Sequence, residues 1–137
     1  MEDERGLQVM IVDDHVLVRE GIRSILDSYE DIQVVGEASN GIEAIILIEQ
    51  LHPSIVLMDV NMPKMDGVEA TAQISSRYPD TIIIGLSVNA NQDNQETMTR
   101  AGAVSLISKE NACDQLYDAI YEAVQSRSTS GRPSIHQ

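Results

Sequence analysis

The stretch VLMDVNMPK, Val56–Lys64, joins an apolar run to a carboxylate and then to a loop that contains proline. The run before the carboxylate, Ile55–Met58, is aliphatic and has no alternation of polar and apolar residues. Short runs of this kind indicate a strand that is buried on both faces of a parallel sheet. The sequence therefore predicts Asp59 at the carboxyl end of a buried strand.

The rest of the chain repeats a strand-then-helix pattern. Four more apolar runs predict strands at Val9–Val12, Ile32–Val35, Ile82–Leu86 and Val104–Ile107, and helical spacing predicts helices near 15–28, 41–51, 67–77, 91–101 and 112–125. Such alternation with short connections predicts an open doubly wound α/β sheet, whose ligand site lies at the carboxyl ends of the strands.

Length and composition predict one domain and argue against two classes of partner. We expect an N-terminal tail at 1–6, a folded domain at 7–125 and a flexible tail or linker at 126–137, where Ser, Gly, Pro and Arg replace the periodic pattern. The net charge of −13 argues against direct binding of nucleic acid or an anionic membrane. A single cysteine, Cys113, and the lack of a signal peptide or an apolar span favour a cytoplasmic location.

Polar groups follow four of the five predicted strands. Asp13 and Asp14 follow the first, Asp59 the third, Ser87 the fourth, and Lys109 comes just after the fifth. Three carboxylates at one sheet edge repel one another unless a cation is bound, and Mg²⁺ prefers such oxygen ligands. A lysine and a hydroxyl suit phosphoryl oxygens, and Asp59 would then be the nucleophile.

Two local alternatives bear on the acidic pair. Asp14 could simply accept N–H groups of the helix that begins at His15. His15 itself is weak evidence for zinc without further His or Cys ligands, and we interpret it as an exposed histidine.

Four motifs, VDDH, MDVNMPKMDG, LSVNA and SKE, follow the first, third, fourth and fifth predicted strands in that order. With these motifs the chain resembles, from about Val9 to Val124, the receiver domains of two-component response regulators. The resemblance implies a flavodoxin-like (βα)₅ sandwich with strand order 2-1-3-4-5. Related receivers precede helix-turn-helix output domains or end hybrid sensor histidine kinases.

The resemblance also implies roles for particular residues. Asp59 would accept a phosphoryl group from a sensor histidine kinase or a phosphotransfer domain. Asp13, Asp14, Asp59 and the backbone carbonyl of Asn61 would hold Mg²⁺, for which Mn²⁺ could substitute. Ser87 and Lys109 would contact the phosphoryl oxygens and switch the surface around the fourth helix, fifth strand and fifth helix. Loop roles fall to Pro63 and Gly67, and modulating roles to Asn61, Val88, Asn89 and Leu106.

The sequence departs from the family pattern at two of these positions. Leu106 stands where the family usually has Tyr or Phe, and Val88 stands where it usually has Ala or Gly. The first departure removes the usual aromatic messenger, and the second adds bulk after the hydroxyl residue.

Other functions remain open at this point. An aspartate-nucleophile phosphohydrolase usually has a second Asp two residues after the first, whereas this chain has Asn61. A receiver that binds partners without phosphorylation is a further alternative. Two apolar stripes on the fifth helix, with Tyr117 and Tyr121 on one of them, predict either a homodimer or docking surface or packing over neighbouring helices.

Overall fold

A parallel five-stranded sheet organises the chain. The computed structural model describes residues 6–62 and 64–130, without the side chains of 127–130. The strands are β1 Leu7–Val12, β2 Ile32–Ala38, β3 Ile55–Asp59, β4 Ile82–Ser87 and β5 Ser105–Ser108, in the order β2-β1-β3-β4-β5. The predicted order is confirmed. Strand β2 is longer than predicted because its Gly36–Ala38 segment continues to pair with β1.

Five helices cover the two faces of the sheet. They are α1 Val16–Asp27, α2 Gly41–Leu51, α3 Gly67–Arg77, α4 Gln92–Ala101 and α5 Ala112–Ser130. Helix α5 extends beyond the predicted end at 125. Residues 126–130 lack an apolar stripe, but the first helix-breaking residue after Ala112 is Gly131. The domain boundary at 125 stays a prediction.

Two apolar layers hold the helices against the sheet. Val9 and Ile11 of β1 point into a cluster with residues of α1 and α5, whereas Met10 and Val12 point into a cluster with residues of α2, α3 and α4. All four side chains are fully buried. The alternation of strand side chains thus supplies a core on each face of one sheet, as a doubly wound fold requires.

The tyrosines of α5 pack inside the domain. Tyr117 stacks on Tyr29 with ring centroids 4.0 Å apart, and its hydroxyl donates to Asp31 Oδ2 at 2.9 Å. Tyr121 donates to the same oxygen at 2.5 Å. These contacts favour packing over neighbouring segments as the role of this stripe, and the homodimer stays a prediction.

Within the described residues, no helix is long and apolar enough to cross a membrane.

Candidate functional site

Asp59 is the last residue of β3, and the two oxygens of its buried carboxylate have different contacts. The residue is 2 % exposed. Its Oδ1 lies 3.1 Å from Lys109 Nζ and accepts the Asn61 amide at 3.3 Å. Its Oδ2 is buried and has no hydrogen-bond partner among the described residues. Burial, and then the negative charge of Asp13, raise the pKa of Asp59 to about 6.

Asp13 is the more tightly held member of the acidic pair. Its carboxylate is fully buried, with Oδ1 accepting the His15 amide at 2.9 Å and Oδ2 lying 2.7 Å from Lys109 Nζ. The alternative that Asp14 merely accepts N–H groups of α1 is not seen among the described residues, because the His15 amide donates to Asp13 instead. Residue 13 has the right spacing for the bond to the amide two residues ahead, as in an Asx turn.

Asp14 and His15 lie at the edge of the same cluster. The Asp14 side chain is partly exposed, and its Oδ1 lies 3.1 Å from His15 Nδ1. The His15 side chain is 65 % exposed, as expected, although its Nδ1 also lies 3.2 Å from Asp13 Oδ1.

Lys109 bridges the buried carboxylates of Asp13 and Asp59. It begins a short 3₁₀ turn, Lys109–Asn111, directly after β5. Burial alone would lower its pKa, but the hydrogen bond and charge of Asp13 and the charge of Asp59 raise the pKa above its ordinary value. Lys109 is therefore a stable cation at neutral pH, which offsets part of the negative charge of the site.

Ser87 lies at the predicted strand end but is turned toward its own loop. Its hydroxyl donates to the Asn89 carbonyl at 2.9 Å and accepts the Asn89 amide at 3.1 Å. The same carbonyl accepts a bond from the Asn94 side chain at 2.6 Å, which links the loop to α4. Val88 is 78 % exposed, so its bulk lies on the rim.

The loop after Asp59 depends on a glycine. A Cβ at Gly67 would lie 1.9 Å from the Asp59 carbonyl oxygen, and the Gly67 amide donates to the Val60 carbonyl at 2.8 Å. The start of α3 therefore contacts the backbone of the central aspartate directly. Asn61 is exposed and contacts Asp59 through its amide, while the metal-ligand role of its carbonyl stays a prediction. Pro63 lies outside the described residues.

Leu106 occupies a space that Gly85 leaves open. It is partly buried in the layer beneath α4, and a Cβ at Gly85 would lie 2.8 Å from Leu106 Cδ1 and 2.9 Å from Met98 Cε. The sequence reasoning did not single out Gly85, although a glycine inside a β-strand indicates close approach of a neighbouring group. Leu106 therefore links β5 to α4 by apolar contact.

The donor set fits a hard divalent cation. One ligand atom from each of Asp13, Asp14, His15 and Asp59 lies within 4.8 Å of the others. The unpaired Oδ2 of Asp59 is the kind of buried oxygen that requires a positive partner. Carboxylates dominate the cluster, and oxygen ligands suit Mg²⁺ or Mn²⁺ better than zinc.

The sequence reasoning missed one contact with the acidic pair. The Arg19 Nη1 donates to the Asp13 carbonyl oxygen at 2.5 Å, and Arg19 Nε lies 3.0 Å from Glu37 Oε1. No spacing rule predicts this contact, because the distance between Arg19 and Glu37 on β2 depends on how the strands pair in the sheet.

Curated relatives support one assignment for this arrangement. The chain is 37 % identical over 123 residues to the transcriptional regulatory protein DegU of Brevibacillus brevis, covering 90 % of this chain and 52 % of that protein. It is 39 % identical over 129 residues to the transcriptional regulatory protein LiaR of Bacillus subtilis, covering 94 % of this chain and 59 % of that protein. The chain thus spans little more than half the length of these relatives.

Solved structures and a family model agree with the relatives. The signal receiver domain of the putative response regulator NarL from Mycobacterium tuberculosis matches with a TM-score of 0.83 at 28 % identity, over 88 % of this chain and 98 % of that one. A LuxR-family two-component response regulator from Aurantimonas sp. matches with a TM-score of 0.85 at 30 % identity, over 89 % and 87 %. The model of the response regulator receiver domain matches residues 9–121. The chain therefore belongs to the response regulator receiver domain family of two-component signal transduction.

Proposed function

We propose that Asp59 of this receiver domain accepts a phosphoryl group from a histidine side chain of a sensor kinase or phosphotransfer domain. The observation that carries the proposal is the pairing pattern of its carboxylate. Lys109 and the Asn61 amide hold Oδ1, while Oδ2 is buried without a hydrogen-bond partner among residues 6–62 and 64–130. A nucleophilic oxygen must be fixed in position and keep a free lone pair.

The transfer forms one bond and breaks another. An Asp59 oxygen attacks phosphorus, and the new P–O bond forms as the P–N bond to the donor imidazole breaks. Lys109 supplies a fixed positive charge for a phosphoryl oxygen. Ser87 can add a hydroxyl donor only if it leaves the Asn89 carbonyl, so the proposal requires the loop before α4 to rearrange.

A divalent cation completes the proposed site. We assign Asp13, Asp14, Asp59 and the Asn61 carbonyl as its protein ligands, with Mg²⁺ as the ion and Mn²⁺ as a substitute. When bound, the ion supplies positive charge that offsets the charge on the transferring group. The remaining charge balance comes from Lys109, which alone cannot neutralise two buried carboxylates.

The contacts of Lys109 and Ser87 would also change the surface of the domain on phosphorylation. Replacement of a carboxylate by a phosphoryl group of about −2 charge strengthens the attraction for Lys109 and for the Ser87 hydroxyl. Movement of Ser87 releases Asn89 and hence the Asn94 side chain of α4. We propose that the surface of α4, β5 and α5 changes in this way, with apolar contacts of Leu106 in place of an aromatic messenger.

The two rival functions are less well supported. A phosphohydrolase lacks a candidate for its second acid, because Asn61 stands at that position. A receiver that acts without phosphorylation would have no use for a buried, unpaired carboxylate oxygen, which is costly to retain.

The relatives support a proposal for the output of this receiver. Because DegU and LiaR are transcriptional regulatory proteins, we propose that this receiver controls a transcriptional output. The segment itself is not expected to bind nucleic acid or membrane at its charge of −13. Cytoplasmic location is part of the proposal, because the exposed Cys113 thiol suits a reducing compartment.

Incubation with Mg²⁺ and a small acyl phosphate tests the proposal. Intact-mass measurement is expected to show one added phosphate in the unaltered chain and none in Asp59→Asn. Asp66→Asn is the matched control, because Asp66 is an exposed acid of the same loop that caps α3, and Asn caps equally well. Labelling of Asp59→Asn at the unaltered rate would refute the assignment, and sustained release of inorganic phosphate from an ester would favour the hydrolase.

A further inference from the structure

Arg19 connects three segments near the acidic pair. It lies on α1, and its side chain is only 15 % exposed. One guanidinium nitrogen, Nη1, donates to the backbone carbonyl of Asp13 at 2.5 Å, and another, Nε, contacts Glu37 of β2 at 3.0 Å. The planar guanidinium can serve both acceptors at once because its donors point in fixed directions.

We propose that Arg19 is a positioning residue that aims the Asp13 carboxylate into the cation site by clamping the Asp13 carbonyl. The inference rests on the proposed cation site and goes beyond it, because Arg19 itself touches neither Asp59 nor Lys109 in the structure. Glu37 is the anchor that orients the guanidinium for this contact.

The clamp completes a set of restraints around Asp13. The Asp13 amide donates to the Ala38 carbonyl of β2 at 3.0 Å, and the side chain contacts the His15 amide and Lys109. The carbonyl is the remaining polar group of the residue, and it receives Arg19. Each polar group of Asp13 thus has a specific partner, which holds its carboxylate against repulsion from Asp59.

Glu37 is suited to act as an anchor. Its Oε1 faces Arg19, and its Oε2 lies 2.5 Å from Arg23 Nη1. Burial alone would raise the pKa of Glu37, but the hydrogen bonds from Arg23 and Arg19 lower it below its ordinary value. Glu37 is therefore ionised at neutral pH.

Electrostatics and positioning predict opposite signs for the loss of Arg19. Removal of a positive charge beside an acidic site strengthens the attraction for a cation if the geometry is unchanged. Loss of the clamp weakens cation binding because the Asp13 carboxylate is no longer held in place. Groups that orient metal ligands typically contribute about tenfold or more to metal affinity.

Arg23 offers a matched control on the same helix. It lies one turn after Arg19, pairs with the same carboxylate and carries the same charge, but its contacts are with Glu37 and Asp27, away from the Asp13 carbonyl. Arg19→Met and Arg23→Met therefore change net charge equally, and only the first removes the clamp.

Two measurements test the proposal in the unphosphorylated chain. Mn²⁺ affinity, from calorimetric titration, is expected to fall about tenfold in Arg19→Met and to stay within about twofold in Arg23→Met. Without cation, the His15 amide is expected to exchange hydrogen faster in Arg19→Met and in Arg19→Lys but not in Arg23→Met, because that amide reports the Asp13 side-chain position. Arg19→Lys keeps the charge, yet it too is expected to bind Mn²⁺ more weakly, since one nitrogen replaces the guanidinium fork.

A result that overturns the positioning role of Arg19 differs from one that overturns the cation site. Unchanged or tighter Mn²⁺ binding by both Arg19 variants, with binding intact in the unaltered chain, would overturn the positioning role and leave the cation site in place. Absence of binding by the unaltered chain would overturn the site and the inference together. If Arg19→Met does not unfold cooperatively, Arg19→Lys and the exchange of its His15 amide decide the outcome.

Discussion

The buried position of Asp59 makes ionisation of its carboxyl group less favourable than in a free aspartate. Buried beside Asp13, Asp59 has a pKa raised to about 6, well above that of a free aspartate. Lys109 reduces the penalty without removing it, because it also pairs with Asp13. A functional carboxylate of this kind is expected to destabilise the cation-free fold at neutral pH.

Asp59→Asn is therefore expected to stabilise the cation-free domain at pH 8. The folded chain binds more protons than the unfolded chain between pH about 4 and about 6, so stability falls as pH rises through that window and the full penalty remains above it. Urea unfolding at pH 8 should show a gain of roughly 1–3 kcal/mol, and the gain should shrink toward pH 4.5. A variant that is less stable than the unaltered chain at pH 8 would contradict the raised pKa.

Gly67 is the second residue at which a substitution is expected to change stability. Gly67→Ala would place a Cβ against the Asp59 carbonyl oxygen, and only movement of the backbone can relieve that contact. We expect a loss of about 1–3 kcal/mol in urea unfolding and slower phosphorylation of Asp59. Gly21→Ala is the control, since a Cβ there meets nothing within 4 Å beyond its chain neighbours and the backbone of its own helix, and a helix interior favours alanine. Equal stability of the two variants would contradict the close approach of α3 to Asp59.

Hydrogen bonds from two tyrosines fix helix α5 to the segment that precedes β2. Asp31 precedes β2 and accepts both the Tyr117 and Tyr121 hydroxyls, while Tyr29 stacks on Tyr117. The bond from Tyr121, more than any other contact, lowers the pKa of Asp31. This contact ties α5 to the segment between α1 and β2, far along the chain from the switch residues.

Tyr121→Phe should destabilise the domain by about 1 kcal/mol at neutral pH, because Asp31 loses a hydrogen bond to its charged form. A lowered carboxyl pKa contributes stability above its unfolded value, and this is lost as pH falls through the folded value, so the difference should vanish in acid. Thermal unfolding across pH measures this. Tyr29→Phe keeps the stack, and its hydroxyl has no hydrogen-bond partner among the described residues, so an equal loss there would contradict the account.

At the scale of the whole molecule, the repeated strand-then-helix pattern made the fold predictable from the sequence. Apolar runs and helical spacing predicted each strand and each α-helix, and the parallel order brought Asp13, Asp59 and Lys109 to one edge. Side-chain direction was not predictable. The Ser87 hydroxyl turns toward Asn89 within its own loop, where the residue type alone does not fix the side-chain direction. The contacts of Arg19 with the Asp13 carbonyl and Glu37 depend on the distance between separate segments, which no local pattern contains.

The central claim is that Asp59, and no other acid at this edge of the sheet, accepts the phosphoryl group. After treatment with Mg²⁺ and an acyl phosphate, borohydride reduction converts an aspartyl phosphate to homoserine, whose position is read by peptide mass spectrometry. The account predicts homoserine at position 59 only, and only when Mg²⁺ was present. Homoserine at Asp13, Asp14 or Asp66 with residue 59 unaltered would contradict it.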